Sequence, residues 1–497
     1  MFEATEPALF LDYFRVPYTP FSAEAPRWPT LSVDHPLQTC GLILHPGGHG
    51  PERRLAWASR EALAARGVAP SASQLGSIPL FATLLDDELA ADWLLEAPGR
   101  WTRRLAAVDA HGRGVASVWQ DGESGSIFLP FDPAEAIQAY WSEQYKLVGA
   151  STVTRLRKTA GAAYYRVRPA IPRRMQIALR RLVSKLQARS QFPRWPLETG
   201  LHDLYELLFG LLGELGQEPI PWIAPWPDDY SWALVLTHDV ETRRGYEQLD
   251  LLRDVEIARG RRSSWNFVAR RYAVDDEVVR RLTDEGFEIG VHGLHHDGRD
   301  LEPSVVGERL PAMRAAAERW GATGFRAPAT RRVWEVIPTL GFDYDSSYPD
   351  TDPFEPDGGG CCTWLPFFNG QTVELPITLP QDHTIFTILQ QTDESLWRQK
   401  ADKLRRRGGL ALLITHPDYM LEAEPRAAYD RFLAAYASDG TAWAALPREV
   451  SSWWRRRAAS HIECIGGRWE IVGPAAGEGR IAFAPVYATP ALVASTR

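Results

Sequence analysis

Two regular patterns of apolar and polar positions alternate through the second half of the chain. Short runs such as WALVLT at 232–237 and LALLIT at 410–415 are apolar at successive positions, as parallel strands buried on both faces are. Longer stretches carry apolar residues every three or four positions and predict helices. The alternation over 230–450 therefore predicts βα units that build a parallel sheet or barrel.

These patterns give bounds for the individual elements. The predicted strands are Trp232–Thr237, Ser263–Val268, Phe287–Val291, Gly324–Arg326, Gly341–Tyr344, Thr372–Leu375 and Leu410–Thr415. The predicted helices include Asp275–Glu285, Pro303–Trp320, Arg331–Leu340 and Glu394–Arg407.

The remainder of the chain has a different character. Residues 1–150 contain both strand-like runs and helical stretches, and they predict a smaller N-terminal α/β accessory domain. One of the predicted helical stretches is 78–95. A basic helical linker is expected at 151–225, the barrel at 226–455, and a β-rich tail at 456–497. Within the tail, 469–486 is interpreted as a hairpin.

The linker belongs to a tract with an unusual charge pattern. Residues 144–197 contain no Asp or Glu and thirteen Lys or Arg, and apolar side chains recur at helical spacing from Met175 to Leu186. A basic amphipathic helix at 173–190 could rest on an anionic membrane surface. We favour the alternative, a solvated interdomain helix, because a single charged face usually faces solvent.

Composition narrows the class of protein. The 497 residues carry a net charge of −8, so bulk charge gives no reason to expect a nucleic-acid partner. The four cysteines form no CxxC pair, which argues against a structural zinc knuckle and fits a reducing compartment. The acidic N-terminus does not resemble a signal peptide, and no run of about 18 apolar residues occurs. We therefore expect a cytoplasmic protein.

Polar residues follow five of the predicted strands. These groups are His238–Glu241, His292–His296, Arg326, Asp345–Ser347 and His416–Asp418. The carboxyl ends of barrel strands form one face, where active sites lie. The five groups together therefore predict one active site.

Two histidines and two acids suggest a metal centre. His292 and His296 are four residues apart, so one helical turn would place both imidazoles on the same side. In an extended segment Asp239 and Glu241 point to one face, while His238 points away. Two imidazoles and one carboxylate leave a zinc-like ion an open position, and the second acid could serve as a base.

Each of these residues also has a structural interpretation. His292 and His296 could be surface-loop histidines. Asp239 and Glu241 could be the cap and first-turn acid of a following helix, which is compatible with catalysis.

The later strand ends offer similar alternatives. His416 could be a general acid or a hydrogen-bonded corner residue before Pro417. Arg326 could hold a carboxylate ionised or form an ordinary ion pair. Asp345 could tune His416, contact substrate, or merely shape a turn.

The ordered motifs resemble a known family. THDVE at 237–241, HGLHH at 292–296, RAP at 326–328, DSS at 345–347 and LITH at 413–416 are similar to motifs of the polysaccharide deacetylases, carbohydrate esterase family four with the NodB homology domain. The resemblance spans about 230–455. It implies a distorted (β/α) barrel, one divalent metal that is often zinc, and removal of N-acetyl or O-acetyl groups from a sugar.

The resemblance also implies roles for individual residues. Asp239 matches the general base, Arg326 the arginine that orients it, and His416 the general acid. His292 and His296 match the metal histidines. The residue after R-x-P, which donates its backbone N–H to the oxyanion in the family, is Ala329.

This sequence departs from the family at two positions. Val240 stands where the family usually has a second adjacent acid, so Glu241 becomes the expected ligand; some relatives have a D-V-D form. Ala329 replaces the family's usual aromatic residue, which would widen or alter the pocket. An inactive carbohydrate-binding relative therefore stays an alternative.

Aromatic residues near the predicted site bear on the substrate. They are Trp334, Tyr348, Trp364, Phe367 and Phe368. Tyr348 and Trp364 are predicted to bind a sugar ring, although aromatic residues also serve cores. An amide hydrolase for cyclic amides or ureides, with a tighter and less aromatic cleft, is the alternative enzyme. If the basic helix touched a membrane, a lipid-linked saccharide precursor would be a candidate substrate.

Overall fold

The computed structural model describes residues 2–21, 28–32, 34–38, 41–44, 52–148, 181, 192–355 and 357–484. The predicted basic helix at 173–190 lies outside the described residues except at Arg181. The chain forms two compact units. The first combines Met1–Thr159, Thr199–Ala224 and Arg457–Arg497; the second combines Ala160–Glu198 and Pro225–Arg456. None of the described helices has both the length and the apolar character that crossing a bilayer requires.

Strands and helices have the following bounds in the described part of the chain. The strands are β1 Phe2–Ala4, β2 Tyr18–Pro20, β3 Gly41–Leu44, β4 Arg53–Trp57, β5 Ser71–Leu75, β6 Ile78–Ala82, β7 Trp101–Val108, β8 Gly114–Asp121, β9 Ile127–Leu129, β10 Ile220–Ile223, β11 Trp232–Val240, β12 Ser264–Phe267, β13 Glu288–Val291, β14 Gly324–Phe325, β15 Tyr344–Asp345, β16 Phe367–Asn369, β17 Thr372–Glu374, β18 Leu410–Thr415, β19 Ala442–Ala444, β20 His461–Ile465, β21 Arg468–Val472 and β22 Ile481–Ala484. The α-helices are Leu9–Phe14, Arg60–Ala64, Asp87–Leu95, Pro133–Trp141, Gly200–Gly216, Arg243–Glu247, Asp250–Ala258, Asp276–Asp284, Val306–Trp320, Ser395–Arg406, Ala423–Ala435 and Pro447–Ala458.

The first unit contains a nine-stranded sheet in the order β2-β1-β3-β4-β9-β8-β7-β5-β6. Two predictions for this unit need correction. The stretch 78–95 begins as strand β6, and its helix starts only after Asp86, whose carboxylate accepts the backbone N–H of Leu89. The tail hairpin lies at β20 and β21 rather than over 469–486, while β22 pairs with β10.

The second unit contains a curled, mostly parallel sheet in the order β16-β17-β15-β14-β13-β12-β11-β18, with β19 also paired to β11. β16 runs antiparallel to β17. All nine residues of β11 and all six of β18 are buried, as their continuous apolar pattern predicts. Because the other strands run in the same direction, their carboxyl ends lie along one edge of the sheet.

The two ends of this sheet approach each other through one irregular segment. After β17, the backbone N–H groups of Thr378 and Leu379 donate to the Leu412 carbonyl of β18, at 3.3 and 3.0 Å. The Thr378 hydroxyl donates to the Leu410 carbonyl at 2.7 Å and accepts the Leu412 N–H at 2.8 Å. The expected barrel is therefore observed as a curled sheet whose closing seam is irregular.

The predicted helix Arg331–Leu340 does not form. A short 3₁₀ turn, Ile337–Leu340, lies within this range, and another, Pro328–Thr330, directly precedes it. Pro338 lies inside the predicted helix and lacks the N–H that an α-helix would use there, which favours turns over a continuous helix.

Gly409 provides a test of packing at the amino end of β18. A Cβ atom there would lie 2.6 Å from Cδ1 of Trp364, which is 3% exposed and has little room to move. We expect Gly409→Ala to lower the free energy of unfolding by roughly 1–3 kcal/mol because the core becomes overpacked. Gly440→Ala is the control, since nothing lies within 4 Å of its added methyl group. Equal denaturation midpoints for the two variants would contradict this packing.

Glu288, at the start of β13, provides a test by pH. Its carboxylate accepts the Tyr344 hydroxyl at 2.6 Å and the Arg448 N–H at 3.0 Å, yet burial raises its pKa from 4.5 to about 7. Between these two pH values the folded state therefore keeps a proton that the unfolded state loses. The contribution of neutral Glu288 to the free energy of unfolding is complete below pH 4.5 and is lost as the pH rises through 7.

Glu288→Gln removes this dependence. Its unfolding free energy relative to the parent protein should increase by up to roughly 3 kcal/mol between pH 4.5 and 8. Urea denaturation at several pH values measures this difference. A difference that does not change with pH would show that the carboxyl group titrates normally.

Candidate metal centre

Asp239 lies at the carboxyl end of β11 and is 3% exposed. Its Oδ1 accepts hydrogen bonds from Asn266 Nδ2 at 2.8 Å and from Arg326 Nη1 at 3.1 Å. Burial alone would raise the pKa of Asp239, but the positive charge of Arg326 and the nearby imidazoles lower it to about 2. The group is therefore held as a carboxylate at neutral pH.

Arg326 follows β14 and is 1% exposed. Nε donates to the Ser346 carbonyl at 2.7 Å, Nη2 to the Ser346 hydroxyl at 2.8 Å, and Nη1 to the Thr237 hydroxyl at 2.8 Å. A buried guanidinium needs such partners because it has lost its water. These bonds fix the orientation of the guanidinium group relative to the Asp239 carboxylate.

The histidine pair follows β13 in a loop rather than a helical turn, which corrects the reason for expecting the two side chains to converge. Gly293 has φ 68°, and a Cβ there would lie 2.2 Å from Asp300 Oδ2. That same oxygen accepts the Leu294 N–H at 3.0 Å, and His296 itself has φ 57°. The tight loop brings the ring centroids of His292 and His296 to 5.1 Å from each other.

The two imidazoles present unpaired nitrogens. Nδ1 of His292 donates to the Arg326 carbonyl at 3.0 Å, which leaves Nε2 with a lone pair. Burial lowers the pKa of His292 to about 4, so the ring is neutral. Nε2 of His292 and Nε2 of His296 are both buried without a hydrogen-bond partner.

Glu241 completes a set of metal-binding atoms. Its Oε1 lies 3.1 Å from His296 Nε2, although not in hydrogen-bond geometry. One ligand atom from each of Glu241, His292 and His296 lies within 4.8 Å of the others. Two imidazoles and one carboxylate suit a zinc-like ion, and a buried ring nitrogen without a hydrogen-bond partner is typical of a metal-ligand position. The residues therefore fit a divalent cation.

His416 follows β18 and faces this set. Its Nδ1 donates to Asp382 Oδ1 at 2.7 Å, and its backbone N–H donates to Asp382 Oδ2 at 2.7 Å. Burial alone would lower the pKa of His416, but Asp382, followed by Glu241 and Asp239, raises it to about 10. Nε2 lies 3.9 Å from Glu241 Oε1. The side chain can therefore bring a proton to the site.

Asp382, rather than Asp345, is the acid that binds and orients His416. Asp345 accepts the Ser347 hydroxyl at 2.8 Å, and that hydroxyl accepts the Ala327 N–H at 2.9 Å. Its neighbour across the strands is Glu374, and burial raises the pKa of both acids. Asp345 thus supports the turn after Arg326 from within the protein.

The predicted substrate contacts occupy different environments. Ala329 is partly exposed with φ 55° and ψ 31°, and its role at an oxyanion stays a prediction. Tyr348 is 2% exposed and packs at 6.2 Å from Trp334, so its contact with a sugar also stays a prediction.

The structure places Trp364 away from the other predicted site residues. Its carbonyl accepts the Leu410 N–H at 2.8 Å, and its ring faces Gly409. These contacts are at the amino end of β18, whereas His416 follows the carboxyl end, roughly 17–20 Å away along a six-residue strand. Trp364 is therefore a core residue at the other end of the sheet.

Two residues that matter were missed from the sequence. Asn266 is a polar residue between Trp265 and Phe267 in the predicted strand SSWNFV, and this position could have marked it. Asp382 precedes a π-helical turn at His383–Ile388 and follows no predicted strand, so it carried no comparable signal.

Comparisons with known proteins give structural neighbours. No protein-family model and no curated protein sequence matches the chain. Among solved structures, proteins assigned as polysaccharide deacetylases from Mycobacterium smegmatis and Pseudomonas aeruginosa are 22% and 19% identical, with TM-scores of 0.39 and 0.38. The first alignment covers 47% of this chain and 93% of that chain, and the second covers 46% and 92%.

A structure of PuuE allantoinase is 18% identical with a TM-score of 0.39, and the alignment covers 54% of this chain and 98% of that chain. Similarity at this level does not define chemistry. The side chains themselves carry the functional interpretation.

Metal binding tests the site directly. Protein freed of metal and then dialysed against zinc should retain about one ion per chain, measured by atomic emission. His292→Ala should lose it because the removed Nε2 is a ligand. His295→Ala is the matched control, since this exposed histidine lies in the same loop. Equal zinc retention by the two variants would rule out the proposed ligand set.

Proposed function

We propose that the chain is a metal-dependent hydrolase that removes acetyl groups, most of all N-acetyl groups, from a sugar or polysaccharide precursor. One observation carries the proposal: the Glu241, His292 and His296 ligand set lies between a buried carboxylate and a buried imidazole. A hydrolase needs a proton acceptor for water and a proton donor for the leaving group. Asp239 and His416 would be that acceptor and donor.

Glu241, His292 and His296 would hold the divalent cation, which we expect to be zinc. When bound, such an ion supplies Lewis-acid chemistry, because it polarises a carbonyl and acidifies water. A neutral His292, with Nδ1–H committed to the Arg326 carbonyl, presents Nε2 in the state that a ligand needs.

Asp239 would take a proton from the attacking water. The ion pair with Arg326 keeps this carboxylate ionised and orients one oxygen, while Asn266 holds the same oxygen from the neighbouring strand. The second oxygen, Oδ2, accepts no hydrogen bond from Arg326 or Asn266 and lies 3.9 Å from His292 Nδ1. That oxygen is the one we expect to accept the proton.

His416 would deliver a proton to the leaving nitrogen. An amine is a poor leaving group until it is protonated, so a held imidazolium suits an amide substrate. Asp382 fixes Nδ1, which leaves Nε2 as the proton donor on the side of Glu241. The Ala329 N–H would donate to the oxyanion, which is a role that backbone amides commonly fill.

The saccharide part of the proposal depends on the motif order in the sequence. One observation favours the alternative, an amide hydrolase for a small non-sugar substrate. Three of the five aromatic residues predicted to lie near the site are at most 3% exposed: Tyr348, Trp364 and Phe367. A cleft with few accessible aromatic rings suits a compact substrate such as a cyclic ureide.

Product analysis separates these functions. Zinc-loaded protein should release acetate from one or more members of a panel of N-acetylated sugars, measured by an enzyme-coupled acetate assay. Asp239→Asn should reduce the rate by about 10²–10⁴-fold because the base is lost, while His295→Ala should not. Turnover of cyclic ureides without acetate release would favour the alternative, and failure on both panels would favour a non-catalytic relative.

A further inference from the structure

Glu241 also contacts residues of the turn that follows β18, and these residues are not among the proposed metal ligands. The chain turns directly after β18, and within this turn the Tyr419 N–H donates to the His416 carbonyl at 3.0 Å. The Tyr419 hydroxyl donates to Glu241 Oε2 at 3.0 Å. This bond engages the oxygen that does not face the imidazoles.

The two oxygens of Glu241 therefore lie in different surroundings. Oε1 is 3.1 Å from His296 Nε2 and 3.9 Å from His416 Nε2. Oε2 has the Tyr419 hydroxyl as its donor. A donor bound to one oxygen of a carboxylate leaves the other as the natural ligand atom.

The backbone of Glu241 is anchored from the same turn. Its N–H donates to Asp418 Oδ2 at 3.0 Å, and the Thr242 hydroxyl donates to Asp418 Oδ1. Gly245 makes room for this carboxylate, since a Cβ there would lie 2.3 Å from Asp418 Oδ2. Adjacent residues 418 and 419 thus fix the main chain and the side chain of one prospective ligand.

Such support has a physical reason in this sequence. Glutamate has one more rotatable bond than aspartate, so a Glu ligand must give up more side-chain freedom when it binds. Partners that hold a ligand before the metal arrives reduce that cost and set its direction.

We propose that Tyr419 is a positioning residue that keeps Glu241 a one-oxygen ligand, with Oε1 toward the metal and Oε2 held by the phenol. The proposal rests on the metal site proposed above. The Tyr419 ring also packs against His416 and His383, with ring centroids 5.1 and 4.9 Å away. Tyr419→Phe keeps these ring contacts and removes only the hydroxyl.

Zinc affinity is the measurement that tests this role. Competition of the metal-free protein with a chromophoric chelator gives Kd for the parent protein and each variant. Tyr419→Phe should bind zinc about 10–100-fold more weakly, as removal of a partner of a metal ligand usually does. Tyr246→Phe is the control, because its hydroxyl accepts the Asp275 N–H and does not contact the ligand set. Its Kd should match that of the parent.

Melting temperature of the metal-free proteins separates positioning from stability. We expect Tyr419→Phe to melt within a few degrees of the Tyr246→Phe control while its zinc affinity falls. If the parent binds zinc tightly and Tyr419→Phe binds it equally well, the positioning role is overturned and the metal site stands. If the parent itself binds no zinc, the metal site and the positioning role both fall.

Discussion

The buried ion pair between Arg326 and Asp239 is the interaction on which the site depends. Removing both charges from water costs several kcal/mol per ion, and only additional hydrogen bonds make such a pair acceptable. Thr237 and Ser346 supply these bonds to the guanidinium, and Asn266 supplies one to the carboxylate. One ion pair therefore ties together the ends of β11, β12, β14 and β15, so that the carboxylate stays ionised and correctly directed.

A second group of polar residues supports this pair from within the protein. Asp345 and Glu374 face each other on neighbouring strands and bind the backbone at Ser347, whose hydroxyl accepts the Ala327 N–H. Burial raises the pKa of both acids, and the charge of Asp345 raises the pKa of Glu374 further. Some polar residues at strand ends therefore bind other residues of the protein rather than a substrate. A sequence motif cannot distinguish these two roles.

Periodicity was enough to predict β11, β18 and the helices at 276–284 and 395–406, because each has a strong apolar pattern. It failed at 331–340, where Pro338 interrupts the helical pattern. Strand alternation grouped Asp239 with Glu241, and the structure places both near His292. Helical spacing gave a wrong reason for the convergence of His292 and His296, since a left-handed Gly293 turns the loop. Asp382 could not be predicted, because only tertiary contacts bring it to His416. Tyr419 lies in the turn after β18, but no pattern in the sequence marks its hydroxyl as a partner of Glu241.

The residues that point away from the site also set its geometry. His238 and Thr415 are register partners on β11 and β18, and each directly precedes a prospective proton carrier, Asp239 or His416. Nδ1 of His238 bonds the Thr415 hydroxyl at 2.7 Å, and Nε2 bonds Glu256 Oε1 at 2.8 Å, all fully buried. A one-residue slip between these strands would separate His238 from Thr415 and turn the side chains of the shifted strand to the wrong face. The buried network behind the strands therefore fixes the separation of the base from the acid.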